Sequence, residues 1–248
     1  MRSLMLAAGL GRRLYGDENS ELPKALLTFG EESLLCRHIT ILRECGVEEL
    51  SIVVGHRSED IISEAKRVAP PNFVKFIYNP RYREGPIFSL ECGAEVLRAG
   101  NSIIFMDADT LYHPNILHRL VESSHNTCFV LDREFQSTDD FVKVCLREGQ
   151  VVDFGKNLSG SYDLVGEWPG FMKMSPDIAK KVANEADQII SSGDVEGAYE
   201  RAIQAVLHNE TIGTFGFEDI TGIPWIEIDY ESDLEKAVSQ ILPKVSKS

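Results

Sequence analysis

The first apolar run of the chain, residues 4–6, is followed at once by a segment rich in glycine and arginine. Gly9 and Gly11 let the backbone turn freely and approach a ligand closely. The backbone N–H groups of such a loop can hold phosphate oxygens, and cationic side chains add fixed positive charge. The nearby cations are Arg12, Arg13 and Lys24. The segment therefore predicts a binding site for an anion, and a nucleotide is the anion that we expect there.

Two better-known glycine loops do not fit this segment. A dinucleotide-binding loop needs a third glycine or alanine in G-x-G-x-x-G/A, but Leu14 stands there and a polar stretch follows. The phosphate-binding pattern G-x-x-x-x-G-K-[ST] occurs nowhere in the chain. An ordinary turn of small residues after a strand is the alternative interpretation of Gly9 and Gly11.

Two later apolar runs each end in a pair of acids separated by one residue. The first pair is Asp107 and Asp109, and the second is Glu227 and Asp229. Because side chains along a strand alternate between faces, the two acids of each pair point the same way. Ligands gather beyond the carboxyl ends of parallel strands, and carboxylates near a polyphosphate suit Mg²⁺. We therefore predict a magnesium site. The alternative is that Asp109 and Asp229 serve as helix caps.

The elements that must position these groups alternate between strand and helix up to about residue 131. Buried strands are predicted at residues 4–6, 50–54, 73–78 and 102–106, and helices at residues 33–45, 59–68 and 87–97. Such alternation is typical of βαβ units. We predict an α/β fold with a Rossmann-like, doubly wound, mostly parallel sheet and an inserted β-hairpin or lid subdomain.

Beyond residue 131 the pattern changes to a hairpin followed by helices. We predict hairpin strands at 142–146 and 151–154, helices at 176–192, 195–207 and 231–242, and strands at 212–217 and 225–228. The chain is expected to form a single domain in three parts. These are a nucleotide-binding core (1–131), a hairpin or lid (132–175), and closing helices with the last acid-bearing strand (176–248).

The register of the hairpin decides where two lysines lie. A turn centred on residues 148–149 places Lys143 opposite Phe154. It also places Phe141 opposite Lys156, so that the two lysines share one face. Two lysines on one face suit an anion, and a solvated outer face is the alternative.

Composition limits the classes of partner. The 248 residues carry a formal net charge of -14, which argues against nonspecific binding to nucleic acid or to an anionic membrane. We find no apolar run of membrane-spanning length and no signal-peptide pattern. The five cysteines lack C-x-x-C spacing and indicate neither a disulfide framework nor a zinc site. A cytoplasmic location is the expectation, and a homodimer is left open.

Taken together, the motifs resemble the sugar-phosphate-type nucleotidyltransferases, whose fold is GT-A-like. The resemblance rests on the loop of residues 6–14 with residues 23–26, and on the acids at 107–109 and 227–229. Arg12 departs from the Ser or Thr usual before the family's arginine. Further segments resemble the phosphocholine (or 2-aminoethylphosphonate) cytidylyltransferase branch, namely residues 85–90, 142–144, 155–156, 166–171 and 225–229.

The resemblance implies a reaction and a role for each site residue. CTP would lie over the glycine loop, and a phosphate or phosphonate oxygen of a small acceptor would attack its α-phosphorus as pyrophosphate leaves. The implied nucleotide-binding residues are Leu6, Ala8, Gly9, Gly11, Arg12, Arg13, Lys24, Gly85, Ser89 and Asp107. The implied catalytic residues are Arg13, Lys24, Lys143 and Lys156, and the implied Mg²⁺ ligands are Asp109 and Asp229. The expected acceptor residues are Tyr162, Glu167, Trp168 and Glu227. The alternative for Trp168 is that it only packs against the hairpin.

Other functions are weighed against this one. A sugar-1-phosphate nucleotidyltransferase that uses UTP, GTP or dTTP fits the same motifs. A noncatalytic nucleotide-binding homologue would be marked by loss of Lys24, Asp109 or Asp229, and all three are present. A Rossmann oxidoreductase would need an acid after the second strand, where residues 55–57 provide none.

Overall fold

The computed structural model describes residues 1–16, 21–134, 141–193 and 199–245. Its strands are β1 (Arg2–Ala7), β2 (Thr28–Phe29), β3 (Glu32–Ser33), β4 (Glu49–Val54), β5 (Val74–Tyr78), β6 (Ile103–Asp107), β7 (Thr110–Tyr112), β8 (Cys128–Leu131), β9 (Lys143–Arg147), β10 (Gln150–Gly155), β11 (Leu164–Glu167), β12 (Phe171–Met174), β13 (Gly216–Asp219) and β14 (Trp225–Glu227). Its α-helices are α1 (Arg12–Tyr15), α2 (Leu34–Glu44), α3 (Ser58–Val68), α4 (Ile87–Cys92), α5 (Ala94–Arg98), α6 (Asn115–Glu122), α7 (Pro176–Ser191), α8 (Glu200–Asn209), α9 (Glu231–Lys236) and α10 (Leu242–Val245). Within the described ranges, every helix is too short or too polar to cross a bilayer.

A seven-stranded sheet in the order β13-β8-β12-β6-β1-β4-β5 forms the centre of the molecule. Four of its pairings are parallel, and only β12 runs antiparallel to both neighbours within the described chain. The predicted mostly parallel α/β sheet is confirmed.

Both faces of this sheet are buried, which explains why its strands are continuous apolar runs. Leu4 of β1 faces α4, α5, α7 and α8, whose apolar side chains form one core. Its neighbour Met5 faces α2, α3 and α6, which form the other core. Because successive side chains of β1 serve opposite layers, the doubly wound arrangement follows directly from the strand's period of two.

The hairpin register predicted from the sequence is wrong by one residue. Beyond the turn, where Glu148 and Gly149 both have positive φ, the pairing of β10 with β9 shifts between Val151 and Asp153. This bulge places Gly155, not Phe154, opposite Lys143. A bulge inserts one unpaired residue into a strand, and the period-two pattern alone does not reveal it.

Two other predicted elements need correction. The helix predicted at 87–97 is two helices, α4 and α5, joined at Gly93. The strand predicted at 212–217 begins only at Gly216. The helix predicted at 195–207 is present from Glu200 onward, and its predicted start is not tested. Residues 195–198 lie outside the described ranges. The last helix continues through a π-helical turn, Ala237–Ile241, into α10.

The junction at Gly93 gives a stability prediction. A Cβ at this position would lie 2.6 Å from Cδ2 of the fully buried Leu4. We expect Gly93→Ala to lower the free energy of unfolding by about 1–3 kcal/mol, because overpacking the core outweighs the better helix propensity of alanine. Urea unfolding measures the loss. In a Leu4→Ala background the same substitution should cost much less, and an equal cost in both backgrounds would contradict the proposed clash.

Candidate active site

A cleft of about 400 Å³ lies at the carboxyl ends of β1 and β6. Most of the residues singled out in the sequence line it, including Leu6, Ala8, Gly9, Gly11, Arg12, Arg13, Lys24, Gly85, Ser89, Asp107, Asp109, Lys156, Trp168 and Glu227. Its position follows the rule that ligands of open α/β sheets bind beyond the strand carboxyl ends. The fold therefore brings the glycine loop and the acids of β6 to one cavity.

The floor of the cleft is the loop that follows β1. Gly11 is left-handed (φ +67°), and its carbonyl accepts hydrogen bonds from the N–H groups of Leu14 and Tyr15 in the short helix α1. A Cβ on Gly11 would meet the Tyr15 ring at 3.1 Å, whereas one on Gly9 would meet nothing within 4 Å. Gly11 is thus needed for the turn itself, and the space over Gly9 is open to a ligand.

Lys24 joins two acids that are far apart in the chain. Its Nζ lies 3.1 Å from Oδ2 of Asp109 and 2.6 Å from Oδ1 of Asp229. Nη1 of Arg13 lies 2.6 Å from the other oxygen of Asp229. Oxygens of Asp109, Asp229 and Glu227 all lie within 4.8 Å of one another. Three carboxylates that converge beside two cations form the chemical centre of the cleft.

Backbone pairing brings these acids together. β14 runs antiparallel to β7 with Glu227 opposite Thr110, and the N–H of Ile228 donates to the carbonyl of Asp109 at 3.0 Å. Asp109 is followed by a strand, and the first turn of α9 is capped by the carboxylate of Asp233. The alternative that Asp109 and Asp229 serve as helix caps is therefore wrong.

Burial and mutual repulsion shape the electrostatics. Burial, followed by the charges of Asp109 and Asp229, holds the pKa of Glu227 well above its usual value. Burial and the charge of Asp109 do the same to the pKa of Asp107. Burial alone would lower the pKa of Lys24, but its two aspartate partners raise it above the ordinary value. Surplus negative charge on hard oxygen atoms is what a divalent cation such as Mg²⁺ neutralises, so this donor set fits that ion.

Four predicted residues are not among those lining the cleft. Nζ of Lys143 donates to the carbonyl of Lys156 at 3.4 Å. The hydroxyl of Tyr162 donates to Asp153 at 2.6 Å, on the hairpin. The remaining two are Glu167, which lies in β11, and Asp229, which reaches the centre through Lys24 and Arg13.

The four predicted acceptor residues therefore do not lie together in the structure. Of its members, Trp168 lines the cleft but is only 3% exposed, and its Nε1 donates to the carbonyl of Phe171 at 2.7 Å. Glu227 lies with the two aspartates at the chemical centre. Tyr162 and Glu167 do not line the cleft, since Tyr162 is bonded to Asp153 and Glu167 pairs with Asp132 through the backbone.

Sequence reasoning missed two residues at the start of α8. The hydroxyl of Tyr199 donates a short hydrogen bond to Asp107, and Glu200 lines the cleft beside it. A signal was present for Glu200, because Ile203 and Leu207 lie three and seven residues further on the same helical face. A glutamate on the apolar face of an amphipathic helix is unusual enough to mark a site.

Comparison with known proteins adds an independent line of evidence. The sequence pattern of the MobA-like NTP transferase domain matches residues 3–158. The chain belongs to this family of nucleotidyltransferases. It is 23% identical to a CMP-5'-(3-aminopropyl)phosphonate synthase of Streptomyces rubellomurinus, over 98% of this chain but only 39% of that protein. It is 28% identical to a choline-phosphate cytidylyltransferase of Streptococcus pneumoniae, over 80% of this chain and 81% of that protein.

Solved structures confirm the fold of the nucleotidyltransferase. The CTP:phosphocholine cytidylyltransferase of Streptococcus pneumoniae superposes with a TM-score of 0.74 at 21% identity, covering 95% of this chain and 96% of that one. An inositol-1-phosphate CTP transferase of T. maritima superposes with a TM-score of 0.75 at 19% identity, covering 100% and 96%. Structural neighbours of this fold thus include enzymes described as acting with CTP.

Glu167 gives a prediction about pH. Burial, with the charge of Asp132, raises the pKa of Glu167 from 4.5 to about 7. The folded state therefore binds more protons than the unfolded state between these values, so this carboxyl favours folding most below pH 4.5 and loses that contribution as pH rises to about 7. We expect the stability of Glu167→Gln relative to the parent to increase over this range, as measured by urea unfolding at several pH values. Glu235→Gln, on an exposed part of α9, is the control, and parallel profiles for the two variants would contradict the assignment.

Proposed function

We propose that this protein is a Mg²⁺-dependent cytidylyltransferase that joins CTP to a small phosphate or phosphonate acceptor and releases pyrophosphate. The observation that carries the proposal is the position of Lys24 between Asp109 and Asp229, beside an open glycine loop. This arrangement offers cations for a triphosphate and carboxylates for a divalent ion within one cleft.

The relatives support the choice of substrates. The names of several matched proteins specify a cytidylyltransferase or a CMP-linked product, with phosphocholine, aminoalkylphosphonate or inositol phosphate on the acceptor side. Their acceptors share one feature, an oxyanion on phosphorus. We infer that the acceptor of this protein also carries an oxyanion on phosphorus and that its nucleotide donor is CTP.

Within this proposal, each side of the cleft has its own task. Backbone N–H groups around Gly9 and the side chains of Arg13 and Lys24 hold the triphosphate. Asn79 donates to Ser89 at 3.0 Å, which fixes Ser89 at the side of the cleft where the base is expected. Lys156, which also lines the cleft, binds the anionic group of the acceptor.

The chemistry then needs positioning more than proton transfer. An oxygen of a phosphate or phosphonate is already ionised near neutral pH, so it attacks the α-phosphorus without a general base while the bond to pyrophosphate breaks. Lys24 and Arg13 stabilise the charge that develops on the phosphates, at fixed positions that require no reorganisation. Asp109, Glu227 and Asp229 are the residues that would hold Mg²⁺, which when bound supplies Lewis-acid polarisation and charge neutralisation.

Pyrophosphate release tests the proposal directly. CTP, UTP, GTP and dTTP are each combined with phosphocholine, 2-aminoethylphosphonate, inositol 1-phosphate and glucose 1-phosphate, with Mg²⁺ or with EDTA. We expect release only with Mg²⁺, and fastest with CTP. A preference for another NTP with a sugar phosphate would replace the proposal by a sugar-1-phosphate nucleotidyltransferase, and tight CTP binding without turnover would indicate a noncatalytic homologue.

Lys24 provides the sharpest activity prediction. Lys24→Ala should lower kcat by at least about 10²-fold, because it removes a charge contact to the transferring phosphates. Lys75→Ala is the matched control, since Lys75 is an exposed lysine of β5 that pairs with Glu49. Equal kcat values for the two folded variants would remove Lys24 from the mechanism.

The metal ligands make a separate prediction that does not depend on turnover. Asp109→Asn should weaken Mn²⁺ binding by about 10-fold or more, as measured by calorimetry or electron paramagnetic resonance, because one anionic oxygen donor is lost. Asp187→Asn is the control, since Asp187 pairs with Arg98 at the surface. Unchanged Mn²⁺ affinity in Asp109→Asn would place the ion elsewhere.

A further inference from the structure

Glu200, the first residue of α8, is a buried acid that the reaction outlined above does not use. Its side chain lines the cleft, and the residue is only 8% exposed. Its Oε2 atom has no hydrogen-bond partner anywhere in the described ranges of the chain. Buried polar atoms are nearly always hydrogen-bonded, so an unpartnered carboxylate oxygen beside a cavity points to a ligand.

The positive charges near Glu200 do not satisfy this oxygen. Lys156 and Arg13 are close enough to act on the carboxyl electrostatically, yet neither forms a hydrogen bond with it. Arg13 is already paired with Asp229. The neighbouring hydroxyl of Tyr199 is also engaged, because it donates to Asp107. The hydrogen-bond donor that Oε2 lacks must therefore come from outside the described residues.

We propose that Glu200 binds a primary ammonium group of the acceptor, so that the second substrate is a zwitterionic aminoalkyl phosphonate or phosphate. This inference rests on the proposed function. Lys156 and Glu200 line the same cleft with opposite charges, which matches an acceptor that has an anionic phosphorus group at one end and a cation at the other. The rings of Trp168 and Tyr199, which pack edge to face against each other, also line the cleft and provide an aromatic surface for the alkyl chain.

The type of cation follows from what Oε2 lacks. A trimethylammonium group carries charge but no N–H, so it would leave the buried oxygen without a hydrogen bond. A hydroxyl donates a hydrogen bond but adds no positive charge to that of Lys156 and Arg13. A primary ammonium supplies both, as a charge-assisted hydrogen bond.

A matched acceptor series with one variant tests this assignment. The acceptors share the phosphonate and differ only at the far end: 2-aminoethyl-, 3-aminopropyl-, 2-(trimethylammonio)ethyl-, 2-hydroxyethyl- and ethylphosphonate. Glu200→Gln keeps the shape and hydrogen-bonding capacity of the side chain and removes its charge. Glu210→Gln is the control, because Glu210 follows the same helix but pairs with Lys181 away from the cleft. Each protein is assayed for pyrophosphate release with CTP and Mg²⁺, and for acceptor binding by calorimetry without nucleotide or metal.

We expect one of the two aminoalkylphosphonates to have the highest kcat/KM and the tightest binding of the series, about 10-fold or more above ethylphosphonate. Glu200→Gln should remove most of that advantage and leave ethylphosphonate unchanged, while Glu210→Gln should change neither. Equal binding of amino and ethyl compounds, or an unaltered preference in Glu200→Gln, would overturn the assignment even if cytidylyl transfer proceeds. Selective, Glu200-dependent amine binding without pyrophosphate release would instead support the ammonium site and refute the proposed function.

Discussion

The ion pairs of one lysine hold the site together. Lys24 is largely buried, and its two aspartate partners lie 85 and 205 residues further along the chain. A buried ammonium is stable only when its charge is paired, and three converging carboxylates repel one another unless a cation lies among them. Each side therefore requires the other. The acids stabilise the charge of Lys24, and Lys24 allows the loop after β1 to lie against the ends of β7 and β14.

Two local features of the fold bring Lys24 and its aspartate partners together. The left-handed turn at Gly11 redirects the chain after β1, and the pairing of β14 with β7 delivers the second acidic segment to the first. The seven-stranded sheet, which is separate from the β14–β7 pair, holds β1 and β6 side by side.

The sequence was most informative where the chemistry needs a specific residue type at a strand end. Gly9, Gly11, Lys24 and the Asp109 segment could be assigned to one site, because they follow apolar strands. The carboxyl ends of parallel strands are where ligands of such sheets bind. The register of β10 could not be predicted, since the bulge after Val151 leaves the apolar pattern almost unchanged. Glu200 was missed although it lies on the apolar face of α8, because only the tertiary structure shows that this face borders a cavity.

The residue that follows the bulge in β10 connects the hairpin to α8. Asp153, just beyond it, accepts hydrogen bonds from Tyr162 of the hairpin region and from Gln204 and His208 of α8. These hydrogen bonds link the hairpin to α8, the two elements that end near Lys156 and begin at Glu200. In the proposed acceptor site, the hydrogen bonds of Asp153 would therefore limit the chain length of a substrate that contacts both Lys156 and Glu200.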